Sequence, residues 1–226
     1  DTFSSRFPDP VLQQVEHFNN PGITANDAFK PVTRYFDRIT RPEQIISSLQ
    51  QAIQVMLDPA DCGPACISLS QDVQGEIYDY PEVFFQEKTH KIIRTKPDDF
   101  QIKEAADLIK KSKKPIIISG GGVFYSDATE ELSTFAIKHN IPVTQTVMGY
   151  STIKKDHSHY SGVVGGLGGR AANNLSKETD TAIAIGTKLA DFTTGSWANF
   201  ENPEFKLVSI NAARFDANKH MAQAVV

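Results

Sequence analysis

At 226 residues, with 40% hydrophobic and 22% charged side chains, the chain has the proportions of a folded globular protein and the length for one domain plus part of a second. A net charge of -4 excludes the dominant basic attraction that nucleic acid or an anionic membrane selects, and no run of about 18 apolar residues is present to span a bilayer. The acidic opening Asp1-Thr2-Phe3 is unlike the basic start of a signal peptide, and Cys62 and Cys66 have no second Cys or His pair at zinc spacing. The expectation is a cytoplasmic protein with reduced thiols, no nucleic-acid partner and no membrane.

The first thirty or so residues, with Pro8, Pro10, Pro21 and Gly22, carry only a short apolar pattern at Val11, Leu12 and Val15 and read as the middle of a longer element. Thr40-Arg41-Pro42-Glu43 has capping-box spacing and predicts a helix to about Leu57, its stripe formed by Ile45, Ile46, Leu49, Ile53, Met56 and Leu57 and its end set by Asp58-Pro59. A short strand is expected at 66–69. Residues 76–96 lack a clear period and, with Tyr78, Tyr80, Phe84 and Phe85, predict a linker whose aromatics lie over a neighbouring surface.

A second capping-box match, Thr95 to Asp98, predicts a helix with Ile102, Ala105, Ala106 and Ile109 on one face, closed by the basic cluster 110–114 that complements the helix dipole. The strand 115–119 runs into Gly120-Gly121-Gly122 and then a helix on which Ala128, Leu132, Phe135 and Ala136 align. Strands are expected at 141–146, 181–185 and 206–210, with a helix over 170–176. Apolar strands alternating with helices predict an α/β fold over 97–226: a Rossmann-like, doubly wound parallel sheet.

Ligands of such sheets lie outside the carboxyl ends of the strands. Four segments map there: Gly120-Gly121-Gly122, Thr146-Val147-Met148-Gly149, Gly165-Gly166-Leu167-Gly168-Gly169 and Gly186-Thr187-Lys188. Glycine admits close approach to backbone, and helix-start N–H groups favour phosphate, so the candidate cofactor-binding residues are Gly120, Gly121, Gly122, Met148, Gly149, Gly165, Gly168, Gly186, Thr187 and Lys188. The same glycines also serve tight strand-to-helix turns that bind nothing. Gly166 to Ala171 matches G-x-G-x-x-A, with Asp191 near the ribose-acid spacing. The match is discounted because residues 157–162 predict a polar turn where the pattern requires a strand. His157 and His159 alternate in that turn without a third ligand; His90, His139 and His220 are isolated, and no G-x-S-x-G is present.

Together these segments resemble the central domain of the acetolactate synthase and pyruvate oxidase superfamily of thiamine-diphosphate enzymes. The family's G-G-G turn, T-L-M-G turn, G-M-H-G loop and G-V-R-F-D-D-R-V-T-G segment are similar in order and spacing to Gly120-Gly121-Gly122, 146–149, 165–168 and 186–195. Residues 65–74 resemble the last strand of its pyrimidine-binding domain, and the run 26–44 with Asp72 to Glu76 and Tyr80-Pro81 resembles the branch that hydrolyses trihydroxycyclohexane-1,2-dione in myo-inositol breakdown.

The resemblance implies three segments: the C-terminal part of a pyrimidine-binding domain over 1–75, a linker over 76–96 and the central domain over 97–226. It also implies a homo-oligomeric parent using thiamine diphosphate and Mg²⁺ to cleave a C–C bond of a small cyclic dione. The family's activating Glu and its G-D-G…N motif are both missing, so the expectation is an inactive fragment with no catalytic or metal residue of its own. Ile210-Asn211-Ala212-Ala213 stands where FAD-binding relatives have acids, which disfavours FAD and leaves an NAD-type nucleotide or an empty structural domain. A carboligase of the acetolactate synthase type and a free-standing nucleotide-binding module are the competing readings.

Overall fold

The computed structural model describes residues 1–5 and 19–226, so Pro8, Pro10 and the apolar pattern at Val11, Leu12 and Val15 lie outside the described residues. The chain divides into two compact units, Asp1–Ile93 and Arg94–Val226.

In the first unit a 3-10 helix, Ala25–Val32, precedes β1 (Tyr35–Ile39), α1 (Gln44–Leu57) and β2 (Ala65–Leu69), and β1 pairs parallel with β2 from Tyr35↔Ala65 to Ile39↔Leu69. The capping box expected at Thr40 does not form. Pro42 opens a tight turn in which the Gln44 amide donates to the Arg41 carbonyl, moving the helix start on by three residues, with Glu43 in place of Thr40 at the N-cap. Gln44 Oε1 then accepts the amides of Thr40 (2.7 Å) and Arg41 (3.0 Å), while Glu43 pairs with Arg41 instead.

A reciprocal capping box forms where none was expected. Thr24 Oγ1 accepts the Asn26 amide and Asp27 Oδ2 accepts the Thr24 amide at 2.6 Å. Arg38 ties this start to the sheet, donating to Asp1 Oδ2 and Asp27 Oδ2, each at 2.6 Å. Burial alone would raise the Asp27 pKa, but hydrogen bonds from Lys30, the Thr24 amide and Arg38 hold it well below the usual carboxylate range. Farther on, Tyr80, Phe84 and Phe85 pack on one another around the 3-10 turn Glu82–Phe85, with Tyr80 and Phe84 stacked at 5.6 Å. Phe85 and Val83 are exposed, while the half-buried Tyr80 donates its hydroxyl to the Pro42 carbonyl, so the cluster lies over the start of α1 only in part.

The second unit runs α2 (Asp99–Lys111), β3 (Pro115–Ser119), α3 (Gly122–Tyr125), α4 (Thr129–His139), β4 (Val143–Gln145), β5 (Tyr160–Val163), α5 (Arg170–Glu178), β6 (Thr181–Ile185), α6 (Asp191–Thr194), β7 (Lys206–Ile210), α7 (Arg214–Asn218) and β8 (Gln223–Val225). All six strands are parallel, in the order β5-β4-β3-β6-β7-β8. Counted from β3 this is the 3-2-1-4-5-6 order of a dinucleotide fold, with its topological switch point between β3 and β6.

The pleat divides β3 between two cores. Ile117 joins Ala105 of α2 and Leu132 and Ala136 of α4 on one face, while Ile116 and Ile118 join Ala172 of α5 on the other, giving the doubly wound arrangement. Each fully buried isoleucine contributes about 1.5–3 kcal/mol. Asp98 caps α2 through its backbone and makes no side-chain cap, so the box expected from Thr95 is also not formed. The expected helix after the glycines breaks into α3 and α4 at Asp127, where φ is +55°.

Asp180 pins the starts of the central strands. Its carboxylate accepts Ser112 Oγ, the Lys113 amide at 2.8 Å and the Lys114 amide. Burial works to raise its pKa, and these hydrogen bonds overcome that and lower it. A carboxyl depressed in the folded state contributes stability above its unfolded value of about 3.9 and loses it as pH falls through the folded value. Asp180→Asn is expected to cost about 1–3 kcal/mol at pH 7, with the difference from wild type shrinking below about pH 4. Urea denaturation across pH checks this, and a gap unchanged at pH 2 would contradict it.

Candidate functional site

The four expected segments do meet at the carboxyl edge of the six-stranded sheet, following β3, β4, β5 and β6. At the switch point, however, the loops fill the space between them. The Gly122 amide donates to Gly186 O at 2.9 Å and the Gly120 amide to Ile185 O at 2.8 Å. A Cβ on Gly122 would stand 2.5 Å from Gly186 Cα, and one on Gly120 would stand 2.4 Å from Gly186 O. Gly186 has φ +60°, so it needs glycine for conformation as well as for space. Thr187 is buried and turned inward: its Oγ1 accepts the Leu189 amide and its carbonyl accepts Asn211 Nδ2 at 3.1 Å. Of this segment only Lys188 is exposed.

Gly149 lies against the end of β3, where a Cβ would meet Ser119 O at 2.2 Å. The loop carrying it is anchored by a buried polar array that sequence reasoning missed. Ser119 Oγ and Thr152 Oγ1 are 2.6 Å apart, Thr152 Oγ1 donates to Gly149 O at 2.8 Å, and Gln145 Nε2 donates to Ile153 O at 2.8 Å. The signal was available, since Thr144-Gln145-Thr146 is a polar run inside an otherwise apolar strand. The array fixes the loop and leaves Val147 and Met148 projecting outward. Beside them Lys155 lies 5.1 Å from the centre of the Tyr150 ring, and its hydrogen bond to the phenol raises its pKa.

The 165–169 loop folds on itself. Asn173 clamps Gly165 from both sides, accepting its amide at 2.9 Å and donating to its carbonyl at 3.0 Å. The Gly168 amide donates to Gly165 O, and the Gly166 amide donates to Phe192 O at 2.7 Å. Gly121 is more open, its nearest neighbour to an added Cβ being Met148 O at 3.1 Å.

The expected polar turn before this loop is corrected in part. Residues 160–163 form the edge strand β5, half-buried and irregularly paired with β4, which is why no apolar run betrays it. The G-x-G-x-x-A match therefore does sit between a strand and a helix. It fails as a dinucleotide fingerprint for a topological reason: the next strand, β6, lies three positions away in the sheet rather than alongside β5. Asp191, the would-be ribose acid, opens α6 and accepts Ser196 Oγ at 2.8 Å. His157 and His159 are held against α4 and its C-cap, His157 Nε2 lying 3.0 Å from Ser133 Oγ and His159 Nε2 lying 3.0 Å from Asn140 Oδ1.

The contrast between closed and open glycines is testable. Gly186→Ala is expected to cost about 2–4 kcal/mol, combining left-handed strain with overpacking against Gly122. Gly169→Ala, where nothing lies within 4 Å of an added Cβ, is expected to cost under about 1 kcal/mol. Chemical denaturation of the two variants checks this; equal losses would contradict the interlocked switch point.

Residues 102–226, more than half of the chain, match the family described as thiamine pyrophosphate enzyme, central domain. The 3D-(3,5/4)-trihydroxycyclohexane-1,2-dione hydrolase of Clostridium perfringens strain 13 is 49% identical over all of this chain, which covers 35% of that protein. The proteins of the same name from Bacillus licheniformis and Bacillus subtilis strain 168 are 49% and 48% identical, again over the whole chain and 36% of their own length. The chain thus spans about a third of the length of the curated relatives it matches. It belongs to the thiamine pyrophosphate enzyme family through that family's central domain.

Proposed function

We propose that the chain is the scaffold third of a thiamine-diphosphate-dependent hydrolase that opens a cyclic 1,2-dione by C–C cleavage in myo-inositol breakdown. The observation that carries this is near-half identity to dione hydrolases across both structural units, not the central domain alone. The first unit then corresponds to the end of a pyrimidine-binding domain over 1–75, with 76–96 as the connection to the central domain at 97–226. The parallel sheet of two strands among its described residues supports that division, since parallel sheets are normally covered on both faces and have more strands. The apolar stripe of α1 points the same way: Ile45, Ile46, Leu49 and Ile53 are only half-buried and Met56 is exposed.

Thiamine diphosphate and Mg²⁺ require a diphosphate cradle and oxygen ligands for the metal. Among the described residues no group of three or more His, Cys, Asp or Glu side chains is placed to hold a metal, and the sequence contains no Gly-Asp-Gly. The residues present do not fit the cofactor, so its binding belongs to other parts of the longer protein. At the switch point, backbone of the Gly120 to Gly122 and Gly186 loops occupies the place where a dinucleotide fold receives pyrophosphate, which favours a structural central domain over an NAD-binding or FAD-binding one.

The expected outcome is that the 226-residue chain gives no dione hydrolysis with thiamine diphosphate and Mg²⁺, while the full-length protein does, and that saturating NAD or FAD leaves the chain's melting temperature unchanged. Turnover by the chain alone would sink the scaffold reading. A full-length protein active only as a carboligase would overturn the substrate assignment.

A further inference from the structure

On the edge of the sheet opposite the glycine loops, where β7 begins at Lys206 and β8 at Gln223, an open cleft of about 580 Å³ is present. Small-molecule sites commonly measure about 300–1,000 Å³. Leu108 of α2 lines it and packs against the core on one face of the sheet, while Phe205, Leu207 and Ala222 belong with the core on the other. The cleft thus straddles the amino end of the two strands, away from the carboxyl edge at which ligands of this fold normally bind. Trp197 and His220, also in its lining, meet edge to face with ring centres 4.5 Å apart.

The backbone here is strained. Eight non-glycine residues among the described residues have left-handed φ, and four of them sit at this cleft: Ser196 (+54°), Trp197 (+68°), His220 (+60°) and Met221 (+54°). Such conformations persist only where the surroundings impose them, and they gather at binding and catalytic sites. Two strained pairs from separate segments are joined here by the Trp197–His220 contact. Trp197 also rests on Phe200 at 5.2 Å, which in turn stacks on Phe205 at 4.6 Å. The aromatic wall is therefore ordered before anything binds, which reduces the entropy lost on association.

No carboxylate lines the cleft, and Lys206, its one lysine, has no ion-pair partner among the described residues. Neighbouring acids are engaged: Glu104 accepts Gln223 Nε2 at 3.1 Å, Asp107 pairs with Lys103, Asp216 with Lys219 and Glu201 with Lys177. Asp180 holds the 113–114 amides, and Asp191 accepts the Ser196 hydroxyl. Glu204 is exposed outside the lining, and against it stand Lys110 and Lys111 at the end of α2, both exposed and without ion pairs. Trp197 Nε1 and the His220 ring nitrogens have no hydrogen-bond partner among the described residues. An apolar, aromatic cleft whose unengaged polar groups are a cation and N–H donors suits an anion carried on a ring. We infer that this cleft binds a small aromatic carboxylate, its ring against Trp197 and the apolar lining and its carboxylate on Lys206.

Trp197 is the chain's single tryptophan, so its fluorescence reports on this cleft alone. Titrating the 226-residue chain with phenylacetate should give a saturable change with a dissociation constant on the order of 1 mM. Phenylethanol, which keeps the ring without the charge, and acetate, which keeps the charge without the ring, should each bind roughly fivefold or more weakly. Lys206→Met, at an exposed position, should abolish the preference for phenylacetate over phenylethanol. His220→Gly suits the left-handed backbone and removes the ring beside Trp197, so it should weaken phenylacetate binding while the chain stays folded by circular dichroism. Lys138→Met, at an exposed residue of α4, should change nothing. Titration calorimetry measures binding independently of the tryptophan signal. Absence of saturable binding by both methods, equal affinity for phenylacetate and phenylethanol, or a preference that survives Lys206→Met would overturn the inference.

Discussion

The contact between β3 and β6 sets the rest of the second unit. These are the two central strands, paired over five residues from Pro115↔Thr181 to Ser119↔Ile185, and they hold together loops that leave the sheet on opposite sides of its switch point. In a dinucleotide fold that divergence opens a crevice. Here the chain does not separate. Gly122 and Gly186 approach so closely that neither tolerates a side chain, and the backbone bond from Gly122 to Gly186 satisfies groups that a phosphate could otherwise use. The close approach is available only to glycine, so the residues that suggest a nucleotide site in sequence are also those that can fill one.

Once the centre is closed, the carboxyl edge changes character. Its loops are braced from below by buried hydroxyls and amides, with Ser119, Thr144, Gln145 and Thr152 all within hydrogen-bond networks, and by the Asn173 clamp. Groups so arranged satisfy one another and face inward. What remains outward is a large apolar side chain on each loop, among charged ones such as Lys188 and Asp191. The opposite edge, organised around Asp180, ties strand starts to helix ends and exposes charged groups with partners.

Much of the fold was legible because burial on both faces demands continuous apolar strands. Ile116-Ile117-Ile118 and Ala182-Ile183-Ala184 could be nothing else, and their strand boundaries agree with 115–119 and 181–185. β5 and β8 were not legible because they are edge strands: Tyr160 to Val163 is only half-buried, and Gln223–Val225 spans three residues. β1 was hidden by Asp37 and Arg38: Arg38 is compensated by Asp1 and Asp27, distant in sequence, while Asp37 accepts the Arg38 amide and the Tyr35 hydroxyl. Helix starts were misread at Thr40 and Thr95, since a capping box depends on where the first turn begins, and Pro42 and Asp98 each set that point differently from the spacing alone.

For the site, order and spacing identified the family and brought the four glycine segments to one edge. Whether each glycine faces a ligand or another loop depends on distances between segments more than sixty residues apart, as for Gly120 and Gly186, and no local pattern encodes that. The switch point is filled by its own backbone. Native-state hydrogen exchange of the Gly120, Gly122 and Gly186 amides tests it most directly. The interlocked arrangement predicts exchange only through global unfolding, at rates unaffected by saturating NAD, FAD or ADP. Rapid exchange at these three amides, or protection that appears only with a nucleotide, would contradict it.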